Sequence, residues 1–145
     1  MTETEENALK LENQLCFPLY AAARKVVNLY SPYLKPLGLT YTQYIVFMVL
    51  WEYKSITVGE LGKILFLDNG TLTPLLKKME KENYIIRTRS KEDERVVLII
   101  LTEIGLAMKE KCREIPSKVG SCVNIGKEKA KLLYTTLYEI IDKTE

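Results

Sequence analysis

The chain contains no histidine. That absence removes Ser-His-Asp and Cys-His catalysis, HExxH metal sites and zinc fingers with mixed ligands. Cysteine is sparse, and Cys16, Cys112 and Cys122 lack CxxC spacing, which argues against a zinc site. There is no GxGxxG fingerprint and no P-loop, so the usual phosphate cradles are missing. No metal and no cofactor are therefore expected, and the chain is poorly equipped as a conventional enzyme. Long apolar runs are lacking too: the longest, YIVFMVLW at residues 44–51, is too short to cross a bilayer. No membrane association is expected. The N-terminus, MTETEENALK, is acidic and polar, the reverse of a signal or transit peptide. The expected location is the cytoplasm, where thiols stay reduced and any disulfide is conditional.

What is present fits one globular domain of 145 residues, 47% apolar and 28% charged. The net charge of +2 is nearly neutral, but its distribution is uneven. Residues 1–15 carry four acidic groups against one lysine. Residues 77–95 carry seven basic groups against five acidic ones. Mixed charge of this kind is ordinarily a solvated face, and it acquires a function only if the fold displays the basic groups together.

Periodicity predicts a long first helix over residues 8–34. Leu11, Leu15, Leu19, Ala22, Val26, Leu29 and Tyr33 form its buried stripe, and a kink is expected at Pro18. Thr40 with Gln43, and Thr57 with Glu60, have capping-box spacing and open two further helices. The first of these runs through Trp51 and is apolar nearly all round. The turn LDNG, residues 67–70, leads into a helix reaching about Asn83, with Leu72, Leu75, Leu76 and Met79 inward. Pro74 is harmless there if Thr71 is the N-cap, and loses one bond if the helix starts earlier. YIIRTR and RVVLIIL around SKEDE read as a β-hairpin. Thr102 caps a helix through Lys111 and beyond, interrupted at Pro116 and Gly120. Gly126 to Lys143 is a last amphipathic helix, with Leu132, Leu133, Leu137, Ile140 and Ile141 inward.

Helix, short helix, turn, helix, hairpin is the order of a winged helix-turn-helix, mainly α with a small β wing. The helix over 71–83 suits a major groove, and the DNA-facing set would be Asn69, Thr71, Thr73, Lys77 and Lys78, with Arg87, Arg89 and Arg95 from the wing. Asp93 is placed to hold Arg95 by a charge-assisted bond. One such unit makes few contacts, so a dimer reading two half-sites of double-stranded DNA is expected. Residues 40–101 would be the winged unit, with 8–34 and 103–145 as dimerisation helices. The competing reading is an α+β domain whose hairpin touches nothing.

The segments LENQLCFPLYAA, GLTYTQYIVFMVLWE, LDNGTLTPLLKKME, RSKEDERVVLI and LTEIG, in this order, resemble the organic-hydroperoxide-sensing branch of the MarR repressor family. The resemblance covers residues 10–107 and continues weakly to the end. The DxR element at Asp93 and Arg95 belongs to MarR proteins generally; LENQLCF with GTLTPLLK is specific to the branch. It implies a homodimeric transcriptional repressor, not an enzyme, that releases its operator when Cys16 is oxidised by an organic hydroperoxide.

A lone helical cysteine is ordinarily a small apolar filler. A sensor must stabilise negative sulfur, and with no cation nearby in sequence, tyrosine hydroxyls are the remaining donors. Cys16, Tyr20, Val27 and Tyr30 form a second stripe. Tyr20 is one turn from the thiol, with core packing its blander reading. Tyr30 is fourteen residues on, roughly 21 Å of helix, and can meet only the Cys16 of another subunit. The resemblance implies that arrangement, with Tyr30 and Tyr41 as cross-subunit donors. It also leaves two fates for oxidised Cys16: pairing with a small cellular thiol, or with Cys122 of the partner as resolving thiol. Cys112 reads as packing. Two other functions stay open: a MarR-type repressor released by a phenolic or other apolar ligand bound without oxidation, and a thiol peroxidase.

Overall fold

The computed structural model describes residues 1–145, which divide into two compact units, 1–115 and 116–145. In the first unit, α1 (Glu3–Ala8) and a 3-10 turn (Leu11–Asn13) precede α2 (Cys16–Asn28). α3 (Ser31–Leu34) and a second 3-10 turn (Lys35–Leu37) lead to α4 (Tyr41–Tyr53). Then come β1 (Ser55–Thr57), α5 (Val58–Leu65), α6 (Asn69–Lys81), β2 (Ile85–Arg89), β3 (Val97–Leu101) and α7 (Glu103–Cys112).

The single helix expected over 8–34 is therefore broken, and local chemistry explains both breaks. The Asn13 side-chain amide donates to the Asn7 carbonyl at 2.7 Å, and that of Gln14 to the Lys10 carbonyl at 2.9 Å. Such side-chain bonds compete with helical pairing. Farther on, Pro32 has no amide for the Asn28 carbonyl, so α2 ends there and Pro32 enters the first turn of α3. Pro18 produces no kink. It is the third residue of α2, where an amide would be unpaired in any case.

α4 is the centre of the unit. Its capping box forms as expected: the Gln43 amide donates to Thr40 Oγ1 at 3.2 Å and the Thr40 amide to Gln43 Oε1 at 2.9 Å. Tyr44, Val46, Phe47, Val49 and Leu50 are all buried. Burying side chains of this size contributes about 1.5–3 kcal/mol each. Leu61 from α5, Leu72, Leu76 and Met79 from α6, and Ile85 and Ile99 from the sheet complete this core.

The sheet has the order β1-β3-β2, all antiparallel. β1 was not legible in the sequence. It pairs Ile56 with Ile99, and a strand this short exists only through that distant partner. Trp51 donates its Nε1–H to the Gly105 carbonyl at 3.0 Å, tying α4 to α7. Gly105 must be glycine: a Cβ there would strike the Tyr84 carbonyl oxygen and lie 2.6 Å from Leu101 Cδ1. The architecture is a winged helix-turn-helix.

In the chain's last segment, α8 (Ile115–Cys122) is followed by α9 (Lys127–Lys143). Pro116 sits at the start of α8 rather than interrupting a longer helix, and Gly120 is carried inside it. No residue of α9 is buried; Leu132 and Leu133 remain exposed. The same holds for α2, where Leu19 and Phe17 are open to solvent, as Leu15 is just before it. The apolar stripes expected to be inward on these two helices thus lie open in part in the single chain, with Val26, Leu29, Leu137, Ile140 and Ile141 half-buried. No helix is long and apolar enough to cross a membrane.

Candidate functional site: a reading head and an exposed thiol

The helix-turn-helix is α5, its turn and α6. The turn folds tightly enough that a Cβ on Gly62 would come within 2.7 Å of the Leu67 carbonyl oxygen. Asp68, not Thr71, is the N-cap of α6; its Oδ1 accepts the Thr71 amide at 2.7 Å, which holds the Asp68 carboxyl below its usual range. Pro74 accordingly lies inside the helix, and the bond to the Gly70 carbonyl is forgone. Leu72, Leu76 and Met79 point inward, with Leu75 only half-buried. Asn69, Thr71, Thr73, Lys77 and Lys78 are exposed together on α6.

The wing carries three arginines, and they differ in what they touch. Arg95 extends into solvent, 90% exposed, while Asp93 braces it: Oδ1 accepts its amide at 3.0 Å and its Nε–H at 3.1 Å, and Oδ2 accepts Nη2 at 3.2 Å. Those bonds to Arg95 lower the Asp93 carboxyl. Arg89 donates to the Glu94 carbonyl at 2.8 Å, at the wing tip. Arg87 is engaged from within the protein by Glu80 of α6, at 3.0 Å. Glu80 gave no signal in the sequence, where it looked like one more surface acid. Between α6 and the wing lies an open recess of about 440 Å³, lined by Thr57, Asn69, Thr73, Arg87 and Arg95 among others.

Cys16 is the first residue of α2 and is exposed. α1, α4, α5, α6 and α7 are each capped by a Thr or Asp side chain; α2 has no side-chain cap. Its first-turn amides therefore stay free beside the sulfur. Tyr20 follows on the same helix, exposed rather than packed in the core, with the Arg24 guanidinium 5.4 Å from its ring centre. Arg24 stands eight residues from Cys16, roughly 12 Å of helix, and its contact is with the Tyr20 ring.

Tyr30 and Tyr41 come together within the chain. Their ring centres are 4.9 Å apart, and Tyr44 joins them at 5.6 Å from Tyr30 and 6.3 Å from Tyr41. Burial, and then the neighbouring Tyr30, push Tyr41 up and Tyr44 up to about 12, so these phenols stay neutral donors. Tyr30 lies beyond the far end of α2 from Cys16. Thirteen residues of helix separate the two ends by roughly 18 Å, so the chain does not bring its own Cys16 to its own Tyr30.

Cys112 ends α7, buried, and burial pushes its thiol up. Cys122 ends α8, exposed, its thiol donating to the Lys118 carbonyl at 3.5 Å. No cluster of three or more Cys, Asp or Glu is placed to hold a metal ion.

Comparison with known proteins gives this geometry its setting. A family model for the transcriptional regulators SarA/Rot matches residues 28–112. The organic hydroperoxide resistance transcriptional regulator of Bacillus subtilis is 46% identical over 140 residues, 97% of this chain and 95% of that protein. The structure of reduced AbfR bound to DNA, AbfR being a protein of Staphylococcus epidermidis, superposes with a TM-score of 0.80 at 31% identity, covering 99% of this chain and 100% of that one. The disulfide-formed AbfR superposes less well, with a TM-score of 0.66 at 32% identity over 97% and 99% of the two chains. With a winged head, a braced wing arginine and near-full-length similarity in hand, the chain belongs to the MarR-type family of transcriptional regulators, on the branch of the organic hydroperoxide resistance regulators.

Proposed function

We propose that the protein is a homodimeric repressor whose grip on operator DNA is governed by the oxidation state of Cys16. The observation that carries this reading is the position of the sulfur: exposed, at the one uncapped N-terminus among the longer helices of the first unit. Charge developing on Sγ sits at the end of a helix that favours anions. The unburied faces of α2 and α9 are what a second protomer covers, and α2 crossing its copy brings the partner's Tyr30 and the partner's Tyr41 to the thiol. Phe17 and Leu19 give that region an apolar character suited to organic hydroperoxides.

The chemistry needs only the oxidant. The Cys16 thiolate attacks the terminal oxygen of ROOH, the O–O bond breaks, and the alkoxide leaves as ROH after taking a proton. Sulfur gives up two electrons and becomes sulfenic acid. A second thiol, either a small cellular thiol or the partner subunit's Cys122, then attacks that sulfur and expels water. The resulting disulfide forces the phenols away, moves the dimer helices and takes the two reading heads out of register with their half-sites. Disulfide-formed AbfR superposes less well than either reduced or overoxidised AbfR bound to DNA, which supports a change of conformation on disulfide formation rather than on oxidation alone.

The test is a mobility shift on DNA from upstream of the protein's own gene. Cumene hydroperoxide should release the wild-type protein and leave Cys16→Ser bound. Release of Cys16→Ser by the same oxidant sinks the redox reading and favours an apolar ligand bound without oxidation. Sustained peroxide turnover with a reductant points to a thiol peroxidase instead. Intact-mass measurement of the released protein distinguishes a 16–122 disulfide from a small-thiol adduct.

A further inference from the structure

Glu80 has no part in the sensing chemistry, yet it makes a three-bond contact that, unlike the local Asp93–Arg95 brace, joins two elements of the reading head. Its Oε2 accepts the Arg87 backbone amide at 3.0 Å, and its Oε1 accepts Nε–H at 3.2 Å and Nη2–H at 3.0 Å. One carboxylate thus receives three donors from one residue, which pulls it below the ordinary carboxylate range. The two residues stand on different elements. Glu80 is near the end of α6, whose outer face carries Thr73 and Lys77; Arg87 is mid-way along β2, the strand that leads to the wing tip and Arg95.

The chain between those elements is a short connector, residues 82–84. Asn83 takes a left-handed conformation there, with φ 64°, and the Tyr84 amide bonds back to the Met79 carbonyl at 3.0 Å. Thr102 holds the connector as well, its hydroxyl donating to the Asn83 carbonyl at 2.7 Å, and the Glu80–Arg87 contact closes a loop across it. The angle between α6 and the wing decides whether both reach one duplex at once. Arg87 is also the least exposed partner of the pair, its side chain 25% open against 38% for Glu80 and 90% for Arg95.

We propose that Glu80 is a positioning residue for DNA binding: it holds Arg87 as an internal strut that fixes the wing against α6, and Arg87 does not act as a phosphate contact. This rests on the DNA-binding reading above. It makes a prediction opposite in sign to simple electrostatics. Removing a negative charge beside a DNA-facing surface ordinarily tightens binding and frees an arginine for phosphate. If Glu80 positions the wing, removing its charge weakens binding.

The experiment measures fluorescence anisotropy of the reduced, full-length protein on a labelled duplex from upstream of its own gene, over a range of salt. Active protein is counted by stoichiometric titration, so that any unfolded fraction is not mistaken for weak binding. Glu80→Gln is expected to bind about five- to tenfold more weakly, Arg87→Gln by about the same factor, and the double variant no worse than either. The salt slope of Arg87→Gln is expected to match wild type. Glu80→Gln binding as tightly as wild type or tighter overturns the proposal. So does a salt slope for Arg87→Gln that falls by about 0.9 per protomer, the signature of a lost phosphate contact. So do additive losses in the double variant. Wild-type protein that binds neither this duplex nor a shuffled one removes the DNA-binding reading itself, a failure plainly different from these.

Discussion

Arg95 offers the cleanest quantitative test of the DNA interface. Its guanidinium stands almost wholly in solvent, and its partner Asp93 is itself partly open, 41% exposed. Arg95→Gln therefore removes little that the fold depends on, and Tm should stay within about 2 °C of wild type, as for most surface substitutions. Binding is another matter. In the proposed dimer each protomer loses one cation at the duplex, two in all, so the slope of log K against log salt should become shallower by about 1.8. Over a fourfold rise in salt, the variant's affinity then falls about twelvefold less than that of wild type. Anisotropy titrations at several salt concentrations measure this directly. Asp93→Asn is the companion variant: it loosens the brace but keeps the cation, so affinity should drop while the slope stays put. A wild-type slope in Arg95→Gln refutes the placement of this residue at the DNA.

Three further outcomes follow from the packing. Gly105→Ala drives a methyl group into the Tyr84 carbonyl, which is already fixed as acceptor for the Thr102 amide and hydroxyl at 3.1 and 3.0 Å. It should destabilise the protein by about 2–3 kcal/mol and lower Tm by about 8 °C, read by circular dichroism. Burial raises Tyr44 from its ordinary 10.0 to about 12. The native state therefore holds a proton that the unfolded chain has lost between those values, and stability must fall as pH rises through that window. Denaturant titrations at pH values across it, with Tyr44→Phe as control, check the sign: the variant should lose part of the dependence. Leu132→Glu places a charge on the open face of α9, and sedimentation should show dimers giving way to monomers.

Much of the head was legible because its determinants are close in sequence. The capping boxes at Thr40 and Thr57 and the Thr102 cap depend on residues three apart, and each formed. The Asp93–Arg95 brace spans two residues and formed as well. The features that were missed depend on longer reach. Cys16 begins a helix because Asn13 and Gln14 turn their amides back on earlier carbonyls, a competition that hydrophobic periodicity does not register. Glu80 meets Arg87 only after the chain has turned at Asn83. β1 requires β3. The apolar faces of α2 and α9 were legible as apolar, yet which surface covers them is not a property of one chain.

The lone indole at Trp51 has a practical consequence. It stacks on Phe47, with ring centres 5.3 Å apart, and gives its N–H to the Gly105 carbonyl. The same helix carries Tyr41 and Tyr44 at its other end. A shift of α4 against α7 breaks that bond and admits water to the ring, which moves its emission to longer wavelength. Since no other tryptophan contributes, the protein comes with a native fluorophore at the joint between its helices, and its passage between states can be followed in real time without a label.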